Sequence, residues 1–90
     1  MIEYGKILRM LRIAKDLSIT ELARQIGVSE SYISEIEKGK KNPSYKVCEK
    51  YASGLKISVE KMDRILCLRH RDLSFEQALL RVLLILELDK

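Results

Sequence analysis

TELARQIGVSESYISEIEKG, Thr20 to Gly39, is the stretch whose reading decides the fold. Leu22, Ala23 and Ile26 mark the inner face of one short helix, and Val28, Ile33 and Ile36 mark the inner face of a second. Gly27 lies between them, where a left-handed residue is needed to end one helix and turn the chain sharply. Ser29 suits the N-cap of the second helix, its hydroxyl accepting an otherwise unpaired backbone N–H. That helix spans about Ser29 to Lys38 and stops at Gly39. Ala23 fits a close crossing, because a large side chain four residues before Gly27 would push the two helices apart.

Helical signals continue on both sides. Upstream, Tyr4, Ile7, Leu8, Leu11 and Ala14 recur at spacings of three and four, predicting a helix from Glu3 to about Asp16. Ser18 and Glu21 form an S-x-x-E capping box for the helix that ends at Ile26. Downstream, GKKNPS at 39–44 is a loop with Lys40, Lys41 and Asn42 at its basic tip and Pro43 as a helix breaker. Ser44 is a candidate cap for a fourth helix carrying Val47, Cys48, Tyr51, Ala52 and Leu55 inward. Gly54 in its last turn weakens that helix by on the order of 1 kcal/mol. Ser58 caps a fifth short helix with Met62, Ile65 and Leu66 as its apolar face.

Ninety residues, 47% of them apolar and 33% charged, suit one soluble domain with a single small core. One proline and four glycines argue for an all-α chain. The formal charge of +4 favours a polyanionic partner. That excess lies in residues 1–67, with 13 basic against 9 acidic side chains, whereas residues 68–90 carry four of each. Cys48 and Cys67 show no metal-ligand spacing and sit at apolar positions of helical patterns, so both are expected as reduced, buried thiols of a cytoplasmic protein, with a disulfide or redox role as the alternative. No cofactor is expected. The charged N-terminus does not read as a signal peptide, and Glu76, Arg81 and Glu87 interrupt the most apolar stretch, so no membrane partner is expected.

Leu68 to Arg71 reads as a linker, dividing a domain at 1–67 from a tail at 68–90. Ser74 and Gln77 then cap a last helix with two apolar stripes, one through Phe75, Leu79, Val82, Leu83 and Leu86, the other through Leu80, Leu84 and Leu88. Either this helix folds back on its own core, or it forms a dimer interface in which a partner covers the second apolar surface. The dimer is the favoured expectation, and a chain ending at Arg71 should then be monomeric.

Two helices set at a steep angle by a glycine-containing turn describe a helix-turn-helix, whose second helix enters the DNA major groove. LS-x-x-ELA-x-x-x-GVS and YIS-x-IE-x-G-x-x-x-P occur in register here, within LRIAKDLSITELARQIGVSESYISEIEKGKKNPS followed by KVCEKYASGL. From Leu11 to about Leu66 the chain resembles the Xre/Cro family of the lambda and 434 phage repressors. The resemblance implies a five-helix, lambda repressor-like DNA-binding domain, to which this chain adds its apolar C-terminal helix. It also implies a dimer on double-stranded operator DNA, without catalytic activity.

Carried over position by position, the resemblance implies groove-facing residues Glu30, Ser31, Tyr32 and Glu35, with Ser34 near the same face. Ser31 can donate or accept at several base edges, Glu35 can accept from cytosine N4, and Tyr32 can touch a thymine methyl or a phosphate. Backbone contacts are expected from Lys38, Lys40, Lys41 and Asn42 and from the N-termini of helices 2 and 3. Arg12 and Glu37 match a salt-bridged pair of the family, and a fixed Arg12 would hold the recognition helix while staying near the phosphates.

The chain departs from the family pattern at three places. Ile19 replaces a common glutamine, Lys56 stands where glycine or asparagine is usual, and helix 3 has Glu30, Glu35 and Glu37 against Lys38. Carboxylates beside phosphates are unfavourable unless each is paired with an amino group or an arginine. The sequence thus predicts a sequence-specific transcriptional regulator, a dimeric repressor acting on a palindromic operator. The alternatives are an antitoxin, or a protein-interaction module on the same scaffold that engages a second regulatory protein. An enzyme is not expected: His70 is the only histidine, and no nucleophile, metal or phosphate-loop constellation is present.

Overall fold

The computed structural model describes residues 3–87. Its elements are α1 (Tyr4–Ala14), α2 (Ile19–Ile26), α3 (Glu30–Glu37), α4 (Tyr45–Gly54), α5 (Val59–Leu66), a 3-10 turn (Cys67–His70) and α6 (Phe75–Glu87). The chain is all-α, as the sequence predicts.

Serine hydroxyls start five of the six helices. Ser18 Oγ accepts from the backbone N–H of Glu21 at 3.0 Å, and Glu21 Oε1 accepts from the Ser18 N–H at 3.2 Å, completing the box. That backbone bond to Ser18 also holds the Glu21 carboxyl below its ordinary range. Ser29, Ser44 and Ser58 accept from the third residue of α3, α4 and α5. Ser74 and Gln77 exchange a second reciprocal pair at the start of α6. Each such cap contributes roughly 0.5–2 kcal/mol, which these short helices need because isolated ones of this length are marginal in water.

The turns behave as their residues require. Gly27 adopts φ 72°, and its N–H and that of Val28 both donate to the Ala23 carbonyl, closing α2 while the chain redirects into α3. Lys56 also has positive φ, 57°. Its N–H bonds to Ser53 O and that of Ile57 to Ala52 O, so α4 closes with the bonding a glycine would normally allow. A lysine in that conformation costs roughly 1 kcal/mol. The buried Ile57 holds it there.

One apolar cluster unites the helices: Ile7, Leu8 and Leu11 of α1, Leu22 and Ile26 of α2, Ile33 and Ile36 of α3, Tyr51 and Ala52 of α4, and Met62 and Ile65 of α5. Two glycines permit the closest crossings. A Cβ on Gly5 would collide with the Ile36 carbonyl where α1 crosses α3, and one on Gly54 would collide with Ile26 where α4 meets α2. Gly54 therefore weakens α4 locally but lets it lie against α2.

Several expectations are corrected. Leu68 is buried in the shared core and Arg69 lies 3.8 Å from the Tyr4 ring centroid, so 68–71 is a packed turn rather than a linker. Cys48 is buried but Cys67 is exposed, because the 3-10 turn rotates it away from the α5 stripe. Ala14, on the last turn of α1, is exposed. The helix α6 packs on α1 and α5, with Ala78 and Val82 fully buried and Leu79, Ile85 and Leu86 half-buried against the cluster. Lys61 Nζ donates to the Ile85 carbonyl at 3.0 Å, placing a cation on its last turn. Val82 is thus withdrawn from any partner. Phe75, Leu80, Leu83 and Leu84 stay 44–60% exposed. The second stripe's Leu88 lies outside the described residues.

Candidate nucleic-acid interface

The orientation of α3 is fixed from behind. Ile33 and Ile36 sink into the core, and Glu37, on the same side, meets Arg12 of α1. Arg12 Nε and Nη2 each donate to a Glu37 carboxylate oxygen at 2.9 Å, and Nη1 donates to the Leu17 carbonyl at 2.8 Å. The hydrogen bond to Glu37 raises the Arg12 pKa above its usual value despite burial, so the guanidinium stays charged. With all three nitrogens engaged and a side chain only 10% exposed, Arg12 orients α3 and does not present its charge outward. It nevertheless lines a cleft with Ser34 and Lys38, close to the face expected to meet phosphates. Tyr51 lies beside this pair; burial first, and the Glu37 charge second, push its phenol far above the ordinary range.

The opposite face of α3 is open. Glu30 and Ser31 are exposed, while Tyr32, Ser34 and Glu35 are half-buried. Lys38, Lys40, Lys41 and Asn42 are exposed along the following turn. Ile19, at the start of α2, lines a shallow groove with Glu30, Ser31, Ser34 and Glu35. An apolar side chain here narrows what this end of the groove can offer to shape and methyl contact.

The acidic residues of α3 are each engaged. Glu37 has Arg12, Glu30 Oε1 accepts from Thr20 Oγ1 at 2.8 Å, and Glu35 Oε2 lies 3.8 Å from Lys41 Nζ. The same ammonium lies 5.5 Å from the Tyr32 ring centroid. Lys41 therefore folds back over Tyr32 and Glu35 of α3, whereas Lys38 and Lys40 stand clear of any ion pair among the described residues.

Sequence reasoning missed Arg9. It lines a second cleft with Arg12, Ile19, Ser34, Glu37 and Lys38, next to the N-terminus of α2. The available signal was its spacing, one turn before Arg12 on α1. Thr20 was also missed as the tether of Glu30, since a bond across a helix-helix crossing leaves no mark in local periodicity. No group of three or more metal-ligating side chains occurs among the described residues, and no described helix is long and apolar enough to cross a membrane.

A helix-turn-helix family model matches residues 8–62. The transcriptional regulator SlrR of Bacillus subtilis is 39% identical over 59 residues, covering 64% of this chain and 39% of SlrR. The regulator SinR of the same organism is 39% identical over 56 residues, covering 61% of this chain and 50% of SinR. The control protein C.MunI of a Mycoplasma species is 40% identical over 62 residues, covering 68% of this chain and 84% of that protein. The matched segment thus spans about two-fifths to one-half of the two Bacillus regulators. No solved structure gives a significant match.

Proposed function

Because the chain belongs to the helix-turn-helix family, we propose that it is a sequence-specific DNA-binding transcriptional regulator acting as a dimeric repressor in the cytoplasm. In this reading, α3 enters the major groove and presents Glu30, Ser31, Tyr32, Ser34 and Glu35 to base edges. Lys38, Lys40, Asn42 and Arg9 meet phosphates on either side, and Lys41 divides its charge between Glu35 and the backbone. Residues 1–67 carry the DNA-binding surface, and α6 supplies the self-association surface through Phe75, Leu80 and Leu83, with Leu79 and Leu86 at its edge. Repression is steric, since a dimer seated on a palindromic operator blocks polymerase.

The observation that carries this reading is the buried Arg12–Glu37 pair, which turns the polar face of α3 outward beside exposed lysines. Pairing of Glu37 with Arg12 and of Glu35 with Lys41 offsets two of the three carboxylates of α3 beside phosphates, whereas Glu30 meets only the neutral Thr20 hydroxyl. The names of SlrR, SinR and C.MunI support a regulatory role.

Selection of bound duplexes from a random pool tests it. An inverted repeat should emerge, with half-site centres about one helical turn (~34 Å) apart. A Leu80→Glu/Leu83→Glu variant should be monomeric by light scattering, keep its helicity and bind the full site no better than a half-site. Enrichment of no common sequence by the folded protein would refute the proposal.

A further inference from the structure

A groove between α5, the 3-10 turn and α6 is lined by Arg64, Arg71 and Arg81 around Cys67, Leu68, Leu84 and Ile85. All three arginines are exposed and none forms an ion pair among the described residues. Such clustering of unpaired guanidinium groups is unfavourable for the chain alone, because like charges around one groove repel. The floor is apolar: Leu68 is buried, Ile85 half-buried and Leu84 60% exposed. Leu84 also adjoins Leu80 on the outer face of α6, so the groove opens onto apolar surface along the helix.

We propose that this groove docks an acidic amphipathic helix of a second protein. The partner's apolar stripe would cover Leu84 and the floor, and its flanking carboxylates would meet Arg64, Arg71 and Arg81 in the bidentate manner that guanidinium favours. Charge complementarity selects this occupant. A second copy of the chain laid groove against groove would oppose two sets of arginines, and a nucleic acid would leave the apolar floor uncovered. The proposal does not depend on what α3 binds.

The probe is a fluorescein-labelled synthetic helix with leucines at i, i+3, i+4 and i+7 flanked by glutamates, titrated with the full chain by anisotropy. A control peptide carries lysine in place of every glutamate. The acidic peptide should bind, weaken as salt is raised and lose about tenfold or more in affinity to an Arg64→Ala/Arg71→Ala/Arg81→Ala variant of unchanged helicity. An Arg81→Glu variant should weaken it in the same direction should the triple variant fold poorly. Equal binding of the lysine peptide, or insensitivity to these substitutions, would overturn the proposal. So would a triple variant that loses duplex DNA or its dimeric mass while its affinity for the acidic peptide is unchanged.

Discussion

Arg12 clamps α1 onto α3 through two parallel bonds to Glu37, each 2.9 Å, and its remaining nitrogen ties down the Leu17 carbonyl at the entry to α2. One side chain thereby fixes both helices of the turn. Arg12→Ala should cost roughly 3–5 kcal/mol, because it leaves a buried carboxylate uncompensated. An Arg12→Met/Glu37→Leu variant should recover much of that stability yet still bind DNA poorly, since the Leu17 bond and the exact tilt of α3 are lost. Urea unfolding of the three proteins checks the first part; a double variant less stable than Arg12→Ala would refute it.

Glu35 and Lys41, 3.8 Å apart and both partly exposed, restrain each other where a phosphate would pass. Glu35→Gln should free Lys41 and increase affinity for non-specific duplex, with the slope of log K against log salt steepening by about one. Lys41→Ala should do the reverse and also leave Glu35 unpaired. Folding stability should move little in either case, since exposed pairs are worth at most about 1 kcal/mol.

Lys56, at φ 57°, should be improved by glycine. Removing the Cβ relieves left-handed strain of roughly 1 kcal/mol, partly offset by the greater freedom of glycine in the unfolded chain. Lys56→Gly should raise the thermal midpoint by a few degrees. A lowered midpoint would show that the turn is not strained.

Tyr51 gives the fold an alkaline limit. Its buried phenol is held protonated well above the ordinary value of 10.0, so its contribution to stability is complete below that pH. Above it the unfolded chain ionises first and stability falls as pH rises toward the folded value. Of the four tyrosines, one should fail to ionise in a spectrophotometric titration until the chain unfolds. Tyr51→Phe should abolish that late step, and four phenols titrating together in the folded protein would contradict this.

Local rules reached far into this fold. Ser18, Ser29, Ser44, Ser58 and Ser74 cap the helices they were expected to cap, and Gly27 turns as its position demands, because these effects act within four residues. Periodicity found two apolar stripes on α6 but could not say which one the chain covers itself. The answer, centred on Ala78 and Val82, depends on how α1 and α5 present their surfaces. The close approach at Gly5 and the Thr20–Glu30 bond join elements distant in sequence and were hidden for the same reason. Burial of Val82 also changes a test: removing everything after Arg71 would strip part of the core, so substitutions at Leu80 and Leu83 are the cleaner probe of self-association.

The most direct measurement is the salt dependence of binding to the selected operator duplex, for the parent chain and for Lys38→Ala/Lys40→Ala. If the outward face of α3 and its exposed lysines meet the phosphate backbone, the parent should bind with a steep negative slope, and the variant's slope should be shallower by about two per subunit. An unchanged slope and affinity in the variant, or a folded parent chain that binds no duplex at low salt, would contradict the account.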